Sequence, residues 1–164
     1  MATSSPTRFA GILARNSGRI VLVREECPSW GGVYWNIPSG MVERSETPRQ
    51  GAIRELAEET GLTALEDDLF LHSTSEVVGQ HTVSWAWNFT VDVADPRLDV
   101  RDPDGLIQDA CWFGVEEAAG LLRELPYRPL SEPSVAILSG DARPGAHWAY
   151  RDPDQEPVVT FAAG

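Results

Sequence analysis

A well-marked helix lies between segments whose residues follow the alternation of β-strands. Thr47 suits the N-cap, Pro48 suits the first helical position, and Gly61 suits the left-handed residue just past the end. These signals predict a helix from Pro48 to about Thr60. Its apolar and charged residues fall on different sides. We therefore expect one side of this helix to pack and the other to carry charge.

The chain before the helix predicts a β-hairpin and a short extended piece. The stretches "RFAGILAR" and "RIVLVREE" flank the turn signal Asn16-Ser17-Gly18, which indicates two antiparallel strands. Proline and glycine then interrupt the chain around an extended piece from Tyr34 to Ile37.

Strands and helices both follow the central helix. The stretches "LFLHSTSEVV", "HTVSWAWNFTVDV" and "IQDACWFGV" predict strands. One face of the second carries the alternating residues Val83, Trp85, Trp87, Phe89, Val91 and Val93. We expect a helix from Val115 to Leu125 and a short helix in "EPSVAILSG" with Pro133 in its first turn, whereas residues 141–164 form a tail without a clear pattern. This order predicts an α/β fold with a mixed sheet covered by helices.

Length and composition limit the classes of protein to which the chain can belong. Its 164 residues, 42% of them hydrophobic, suffice for one core, and we expect a single domain over residues 1–164. A net charge of −12 disfavours extended contact with nucleic acid. No apolar run reaches the roughly 18 residues that a membrane span needs, and the amino terminus lacks an export signal. We therefore expect neither a nucleic-acid nor a membrane partner.

The two cysteines give no sign of a metal site. Cys27 and Cys111 lie far apart, and neither has a C-x-x-C spacing. A reduced, cytoplasmic chain accounts for them with the fewest assumptions. The sequence leaves the oligomeric state open, with a homodimer as one option.

Three carboxylates share one face of the predicted helix, namely Glu55, Glu58 and Glu59. They repel one another, and two of them lie in the last turn, where the helix dipole already disfavours negative charge. The simplest interpretation of these three glutamates is a charged helix face that is exposed to solvent and binds nothing. Arg54 alone cannot neutralise three glutamates, whereas Mg²⁺ and Mn²⁺ prefer carboxylate and carbonyl oxygens. Such a site suits cleavage of a phosphoanhydride, because the cation neutralises the diphosphate and lowers the pKa of a bound water.

The spacing of these residues resembles the signature of the Nudix hydrolase family, G-x5-E-x7-R-E-U-x-E-E-x-G-U, in which U is a bulky aliphatic residue. The nine specified positions are Gly40, Glu46, Arg54, Glu55, Leu56, Glu58, Glu59, Gly61 and Leu62. The resemblance covers roughly Arg8 to Leu125. It implies an α/β/α sandwich around a mixed sheet. It also implies that Mg²⁺ or Mn²⁺ supports hydrolysis of a nucleoside diphosphate linked to another moiety.

The same resemblance implies roles for individual residues. Glu55, Glu58 and Glu59 would bind the metal, with one of them also acting as the base. The carbonyl of Ser39 would be a further ligand. Arg54 and Glu46 would pair with the glutamates and orient them. The family often has glycine at position 39 and alanine at position 51, and this chain differs at both without losing a charged residue.

Family members often use another acid from beyond this motif, and here the candidates are Asp109 and Glu76. For both, an ordinary surface carboxylate is the simpler interpretation, since acids are mostly exposed.

Four residues are candidates for binding the substrate. Trp85 is suited to stacking on a base, although the alternation of its strand favours a place in the core. Trp35, near the loop before the motif, is an alternative for stacking, as is Trp30. Arg24 ends the second strand and can reach either a phosphate or solvent.

The sequence therefore predicts a metal-dependent hydrolase of a small nucleotide. No motif marks activity toward NADH, coenzyme A or ADP-ribose, which leaves nucleoside triphosphates and nucleotide sugars. A non-catalytic nucleotide-sensing module is the alternative, but such a module is expected to have lost some metal carboxylates. Processing of RNA 5′ ends is disfavoured by the acidic charge.

Overall fold

The computed structural model describes residues 5–162. Within that range, the chain forms nine β-strands and three α-helices. The strands are β1 Thr7–Asn16, β2 Arg19–Cys27, β3 Gly32–Asn36, β4 Ser39–Met41, β5 Phe70–Val78, β6 Val83–Asp92, β7 Ile107–Gly114, β8 Ala146–Tyr150 and β9 Val158–Phe161. The α-helices are α1 Pro48–Thr60, α2 Val115–Arg123 and α3 Arg128–Ser139.

All the strands belong to one mixed sheet in the order β3-β2-β1-β6-β5-β8-β9, with β4 beside β1 and β7 beside β2. The pairs β1–β6 and β5–β8 are parallel, and the others are antiparallel. Strands β1 and β2 pair only next to their turn, at Arg15–Ile20 and Asn16–Arg19. Beyond that point β1 runs with β4 and β6, whereas β2 runs with β3 and β7. The hairpin therefore opens away from its turn.

Helices cover the sheet through two separate apolar clusters, which confirms the predicted α/β fold with a helix-covered mixed sheet. Helix α1 buries Ala52 and Leu56 against Ile12 and Phe89, among others. Helices α2 and α3 pack together and form the second cluster, with Leu13, Ile20, Leu22, Ile37, Ala118, Leu122 and Ile137. Strand β1 contributes to both clusters, because its successive side chains point to opposite faces.

Local signals fixed the hairpin turn and helix α1 as predicted. Ser17 and Gly18 have φ values of 49° and 75°, the left-handed pair that suits a two-residue hairpin turn. Helix α1 runs from Pro48 to Thr60, and Thr47 forms a reciprocal capping box with Gln50.

Two helix boundaries differ from the prediction. Helix α2 ends at Arg123, two residues early. Helix α3 begins at Arg128, four residues before the predicted start, and Pro133 lies inside it. Pro129 takes the first-turn position expected of Pro133, where a missing N–H costs least. The extra turn is tied to α2 by Ser131, whose hydroxyl donates to the Leu122 carbonyl at 2.7 Å.

Residues 141–162, part of the tail that has no clear sequence pattern, supply the edge of the sheet. Strand β8 pairs in parallel with β5, and β9 closes back on β8. Within residues 5–162, no helix is long and apolar enough to cross a membrane.

Candidate active site

Gly40 lies directly over the Glu55 carboxylate. Strand β4 pairs with β1 through Gly40–Ala10 and Ser39–Gly11, which places this short strand beside helix α1. A Cβ atom at Gly40 would overlap the Glu55 carboxylate. Only glycine therefore allows Glu55 to approach the loop this closely.

Arg54 gathers three of the motif glutamates around one guanidinium. Its Nε lies 2.7 Å from Glu46 Oε1, and its Nη1 lies 2.7 Å from Glu55 Oε1 and 3.3 Å from Glu58 Oε2. Its Nη2 also donates to the Met41 carbonyl at 2.8 Å, which ties the helix to β4. The guanidinium holds the pKa of Glu46 below its usual value. Arg54 therefore holds the side chains of Glu46 and Glu55 close to strand β4.

Glu59 is a buried carboxyl group, only 6% exposed. Its Oε2 accepts a hydrogen bond from the Ser39 backbone N–H at 3.1 Å. Burial and, to a smaller extent, the charges of Glu55, Glu25 and Asp102 raise the pKa of Glu59 to about 9, against the hydrogen bond from Ser39. Burial also raises the pKa of Glu55, with Arg54 opposing the shift. Burial and the neighbouring acids therefore favour the protonated form of Glu59 unless a cation binds beside it.

The loop before β7 closes the carboxyl end of α1. The backbone N–H groups of Asp99 and Arg101 donate to the carbonyls of Thr60 and Glu58, both at 2.8 Å. Gly61 has a φ of 77°, and a Cβ there would lie 2.6 Å from the Asp99 carbonyl oxygen. Both the backbone conformation and the close approach require glycine at this position.

Two acids near the site were missed by sequence reasoning. Glu25, near the end of β2, accepts a hydrogen bond from Asn36 Nδ2 at 3.0 Å, and burial raises its pKa. Asp102 accepts from the N–H groups of Leu106 and Ile107 at 2.7 and 2.9 Å, and it contributes to the raised pKa of Glu59. Glu25 lies in "VREE" and Asp102 in "RDPDG", and neither stretch is a recognisable motif. Folding of the chain brings both acids near Glu59, and no local sequence pattern predicts this.

The donor chemistry of this group fits a hard divalent cation. The carboxylates of Glu55, Glu58 and Glu59 belong to α1, and those of Glu55 and Glu59 lie against the β4 backbone at Gly40 and Ser39. As the side chains stand, no three acidic, histidine or cysteine residues in the described range converge tightly enough to hold a metal ion. Glu55 and Glu58 instead pair with Arg54. Metal binding would require these two carboxylates to turn from the guanidinium.

A cleft of about 490 Å³ begins at Ser39 and Gly40 and extends along the sheet. It occupies the gap that the open β1–β2 hairpin leaves, because Ala10, Gly11 and Glu25 line it. Its lining also includes residues from β5, β6 and the amino-terminal turn of α3. The acidic group therefore adjoins a cavity of the size that suits a small ligand.

Aromatic rings form one wall of the cleft. Trp30 stacks on Tyr127 with a centroid separation of 5.8 Å and an angle of 21°, and both residues line the cleft. Tyr34 meets Trp30 edge-on at 6.1 Å. Of the tryptophans proposed from sequence for base stacking, the structure therefore places Trp30 in the cleft.

The structure places three other candidates outside the cleft lining. Arg24 is exposed on β2, with Trp35 and Asp109 as its partners on the neighbouring strands. Trp35 packs edge-on against Phe113 at 4.8 Å, within the cluster covered by α2 and α3. Asp109 is exposed, and its carboxylate accepts from the Ala110 N–H at 2.8 Å.

Trp85 and Glu76 lie together, away from the acidic group. They pair across β5 and β6, and Trp85 contacts Trp87 with ring centroids 6.2 Å apart. Glu76 lies 3.9 Å from Arg151. Ser75 and Ala86, one residue away in each strand, line the cleft, so Glu76 and Trp85 point to the opposite face of the sheet.

Comparisons with known proteins agree with this architecture. The family model described as the NUDIX domain matches residues 5–133. The chain is 33% identical over 129 residues to the CTP pyrophosphohydrolase of Escherichia coli, covering 79% of this chain and 85% of that protein. It is 31% identical over 77 residues to the 8-oxo-dGTP diphosphatase of Escherichia coli, covering 47% of this chain and 60% of that protein.

Several of these matches are partial, since the chain spans about half the length of some curated relatives, such as 44% of one from Streptomyces ambofaciens. Among solved structures, a NUDIX hydrolase from Nitrosomonas europaea superposes with a TM-score of 0.68 at 24% identity, covering 85% of this chain and 93% of that one. This structural similarity shows that the two proteins share a fold. Together with the match over residues 5–133, it shows that this chain belongs to the Nudix family.

Proposed function

We propose that this chain hydrolyses a phosphoanhydride bond of a nucleoside triphosphate, with Mg²⁺ or Mn²⁺ bound by Glu55, Glu58, Glu59 and the Ser39 carbonyl. The observation that carries the proposal is the environment of Glu59. This carboxyl group is 6% exposed, next to other acids, and adjacent to the cleft. A buried group of like charges is costly unless a cation binds to it.

The chain's own residues would organise the reaction. The Ser39 N–H holds one oxygen of Glu59, which leaves the other oxygen for the cation. Glu46 holds Arg54 at 2.7 Å, which keeps the guanidinium beside Glu55, and Glu55 would turn from it toward the cation. When bound, the divalent cation would neutralise the diphosphate and favour deprotonation of the attacking water. Fixing the reacting groups in this way lowers the entropic cost of the reaction.

Two relatives support a nucleoside triphosphate as the substrate class. They are named for CTP and for 8-oxo-dGTP, both of which carry a triphosphate on a nucleoside. The cleft lies beside the acidic group, so that a base can occupy it while the phosphates meet the cation. Nucleotide sugars share the diphosphate and form the second group of compounds to test.

A substrate panel tests the proposal. Nucleoside triphosphates, nucleotide sugars, ADP-ribose and dinucleotides are incubated with Mg²⁺ and separately with Mn²⁺, and the products are identified by mass spectrometry. We expect triphosphates to yield a nucleotide and a phosphate or diphosphate product. Absence of turnover for every compound with both metals would favour the nucleotide-sensing module instead.

A further inference from the structure

The floor of the cleft carries two buried polar side chains that the hydrolytic mechanism does not use. Strands β5 and β6 pair there through Ser73–Asn88 and Ser75–Ala86. Asn88 and Ser75 both line the cleft and are only 5% and 3% exposed. Both are therefore buried polar side chains set into the floor of the cleft, beside small residues such as Ala86.

The amide of Asn88 lies with Nδ2 toward Ser73 and Oδ1 toward Gly11. Its Nδ2 donates to Ser73 Oγ at 3.2 Å, so that Oδ1 is the atom left to accept a hydrogen bond. Gly11 lies beside it on β1, and a Cβ there would be 3.2 Å from Oδ1. The absence of that side chain keeps the acceptor open to the cleft.

The hydroxyl of Ser75 has no hydrogen-bond partner among residues 5–162, although it is buried. An unsatisfied buried hydroxyl destabilises the folded protein. A ligand atom that bonds with this hydroxyl removes that penalty. Ser75 therefore points to a polar ligand atom at the floor of the cleft.

The charges of the lining indicate which part of a nucleotide lies there. No arginine, lysine or histidine is present in the part of the lining that the structure describes, whereas the acids Glu25 and Glu26 are. Phosphates are disfavoured in such surroundings without a cation, and N–H donors are favoured. The aromatic wall of Trp30 and Tyr127 suits a planar ring.

We propose that Asn88 and Ser75 recognise the base, and that they select a base with an exocyclic amino group over its keto counterpart. The inference rests on the proposed function and specifies its substrate. Asn88 Oδ1 accepts from the amino group, and the Ser75 hydroxyl donates to the adjacent ring nitrogen. Cytosine and adenine present this pair of atoms. Uracil and hypoxanthine present a carbonyl in place of the amino group, which would face the Asn88 carbonyl and be repelled.

Matched substrates test this selectivity. The quantity measured is kcat/KM for CTP against UTP and for ATP against inosine triphosphate, since each pair differs in one amino or keto group and the adjacent ring nitrogen. We expect the amino member to be favoured about 10-fold or more, the effect of leaving a buried polar group unpaired. Equal values within about twofold in both pairs would overturn the inference.

Variants assign the selectivity to these side chains. We expect Ser75→Ala and Asn88→Leu each to reduce the CTP-to-UTP ratio to below about threefold, whereas Asn88→Asp, which keeps an acceptor, retains a preference for CTP. Thr74→Ala is the matched control, because its hydroxyl meets His147 Nδ1 at 2.8 Å on the opposite face of the sheet. A ratio that stays at the wild-type value in Ser75→Ala, or that falls equally in Thr74→Ala, contradicts the assignment. Should Asn88→Leu fail to fold, Ser75→Ala still decides.

Binding separates this inference from the proposed hydrolysis. Calorimetry with CMP and UMP in EDTA measures base recognition without the cation or the chemical step. If no triphosphate is hydrolysed, tighter binding of CMP than of UMP upholds the base subsite while the hydrolytic proposal fails. If triphosphates are hydrolysed but CMP and UMP bind equally and react equally, hydrolysis stands and the subsite is wrong.

Discussion

The two ends of the cleft are built in contrasting ways. All the proposed cation ligands at the acidic end, on β4 and the charged face of α1, come from the single stretch Ser39–Leu62, although Glu25 and Asp102 lie nearby. The base end, formed by Trp30, Ser75, Asn88 and Tyr127, comes from four separate segments of the chain. Charged groups held by Arg54 dominate the first end, and aromatic rings with two buried polar groups dominate the second. Continuous sequence therefore encodes the acidic end, whereas folding alone assembles the base end.

This difference separates the expected effects of substitutions. Changes at the acidic end should lower the rate for every substrate, because they act on the groups proposed to bind the cation. Changes at the base end should alter affinity and selectivity and leave the chemical step in place. Variants at the two ends test whether rate and selectivity separate in this way.

Glu59→Gln should have the largest effect on turnover. The substitution keeps the shape of the side chain but removes the charge proposed to bind the cation. We expect kcat with Mg²⁺ to fall by about 100-fold or more, beyond the loss seen when a residue behind a metal ligand is changed. Steady-state kinetics with saturating CTP measures it. Glu117→Gln, at an exposed position of α2, is the matched control. Near wild-type turnover in Glu59→Gln would refute the proposed cation site.

Gly40→Ala should have the next largest effect. Its Cβ would occupy the space beside β4 that the Glu55 carboxylate takes, and would keep that carboxylate away from the Ser39 carbonyl, the neighbouring proposed ligand. We expect kcat to fall by about 10- to 100-fold while circular dichroism shows an intact fold. Gly120→Ala is the control, since nothing lies within 4 Å of its added Cβ. That change should stabilise helix α2 by about 0.5–1 kcal/mol and leave kcat unchanged. Equal kcat in the two variants would contradict the role given to Gly40.

Two tryptophans on opposite faces of the sheet offer a smaller test. Trp30 lines the cleft, whereas Trp85 is 45% exposed on the other face. We expect Trp30→Ala to raise KM about 10-fold through lost contact with the base, and Trp85→Ala to leave KM within about twofold. Trp85→Ala should also destabilise the protein by less than the roughly 3–5 kcal/mol lost with a fully buried aromatic residue. A raised KM in Trp85→Ala alone would reverse the assignment of the faces.

The fold was predictable where neighbours in sequence decide the structure. The capping box at Thr47 and the left-handed Gly61 defined helix α1 at both ends. The tail was not predictable, because "AHWAY" is a short strand whose place depends on pairing with distant β5. Helix α3 likewise begins early, through a contact between Ser131 and Leu122 on α2.

The alternating face of β6 shows why pattern alone misjudged burial. Phe89 and Val91 lie within the cluster covered by α1 and are 2% and 4% exposed, as the alternation predicts. Trp85 continues the same alternation but is 45% exposed. Alternation reveals which residues share a face, and only the packing of helices decides how much of that face is covered.

The site divides in the same way. The spacing of Glu55, Glu58 and Glu59 places them on one helix face, whatever the rest of the fold. Glu25 and Asn88 belong to the cleft only because β1 and β2 separate beyond their turn and β6 pairs with β1. No local pattern in the sequence records either event.

The smallest predicted effect is a pH dependence of stability that belongs to Glu59. Its pKa is about 9 in the folded protein, against an ordinary value of 4.5. Between these values the folded state holds a proton that the unfolded chain releases, so this group lowers the free energy of unfolding as pH rises. The Glu59→Gln variant has no titrating group at this position, so its free energy of unfolding does not fall in this way. In EDTA, we therefore expect the Tm of the variant to exceed that of wild type by a margin that widens steadily from pH 5 to pH 9. Added Mg²⁺ should raise the wild-type Tm more at pH 9 than at pH 5, because cation binding requires the deprotonated carboxylate. A margin that is constant across this range would show that Glu59 titrates normally, and would remove the electrostatic basis for a cation at the acidic end.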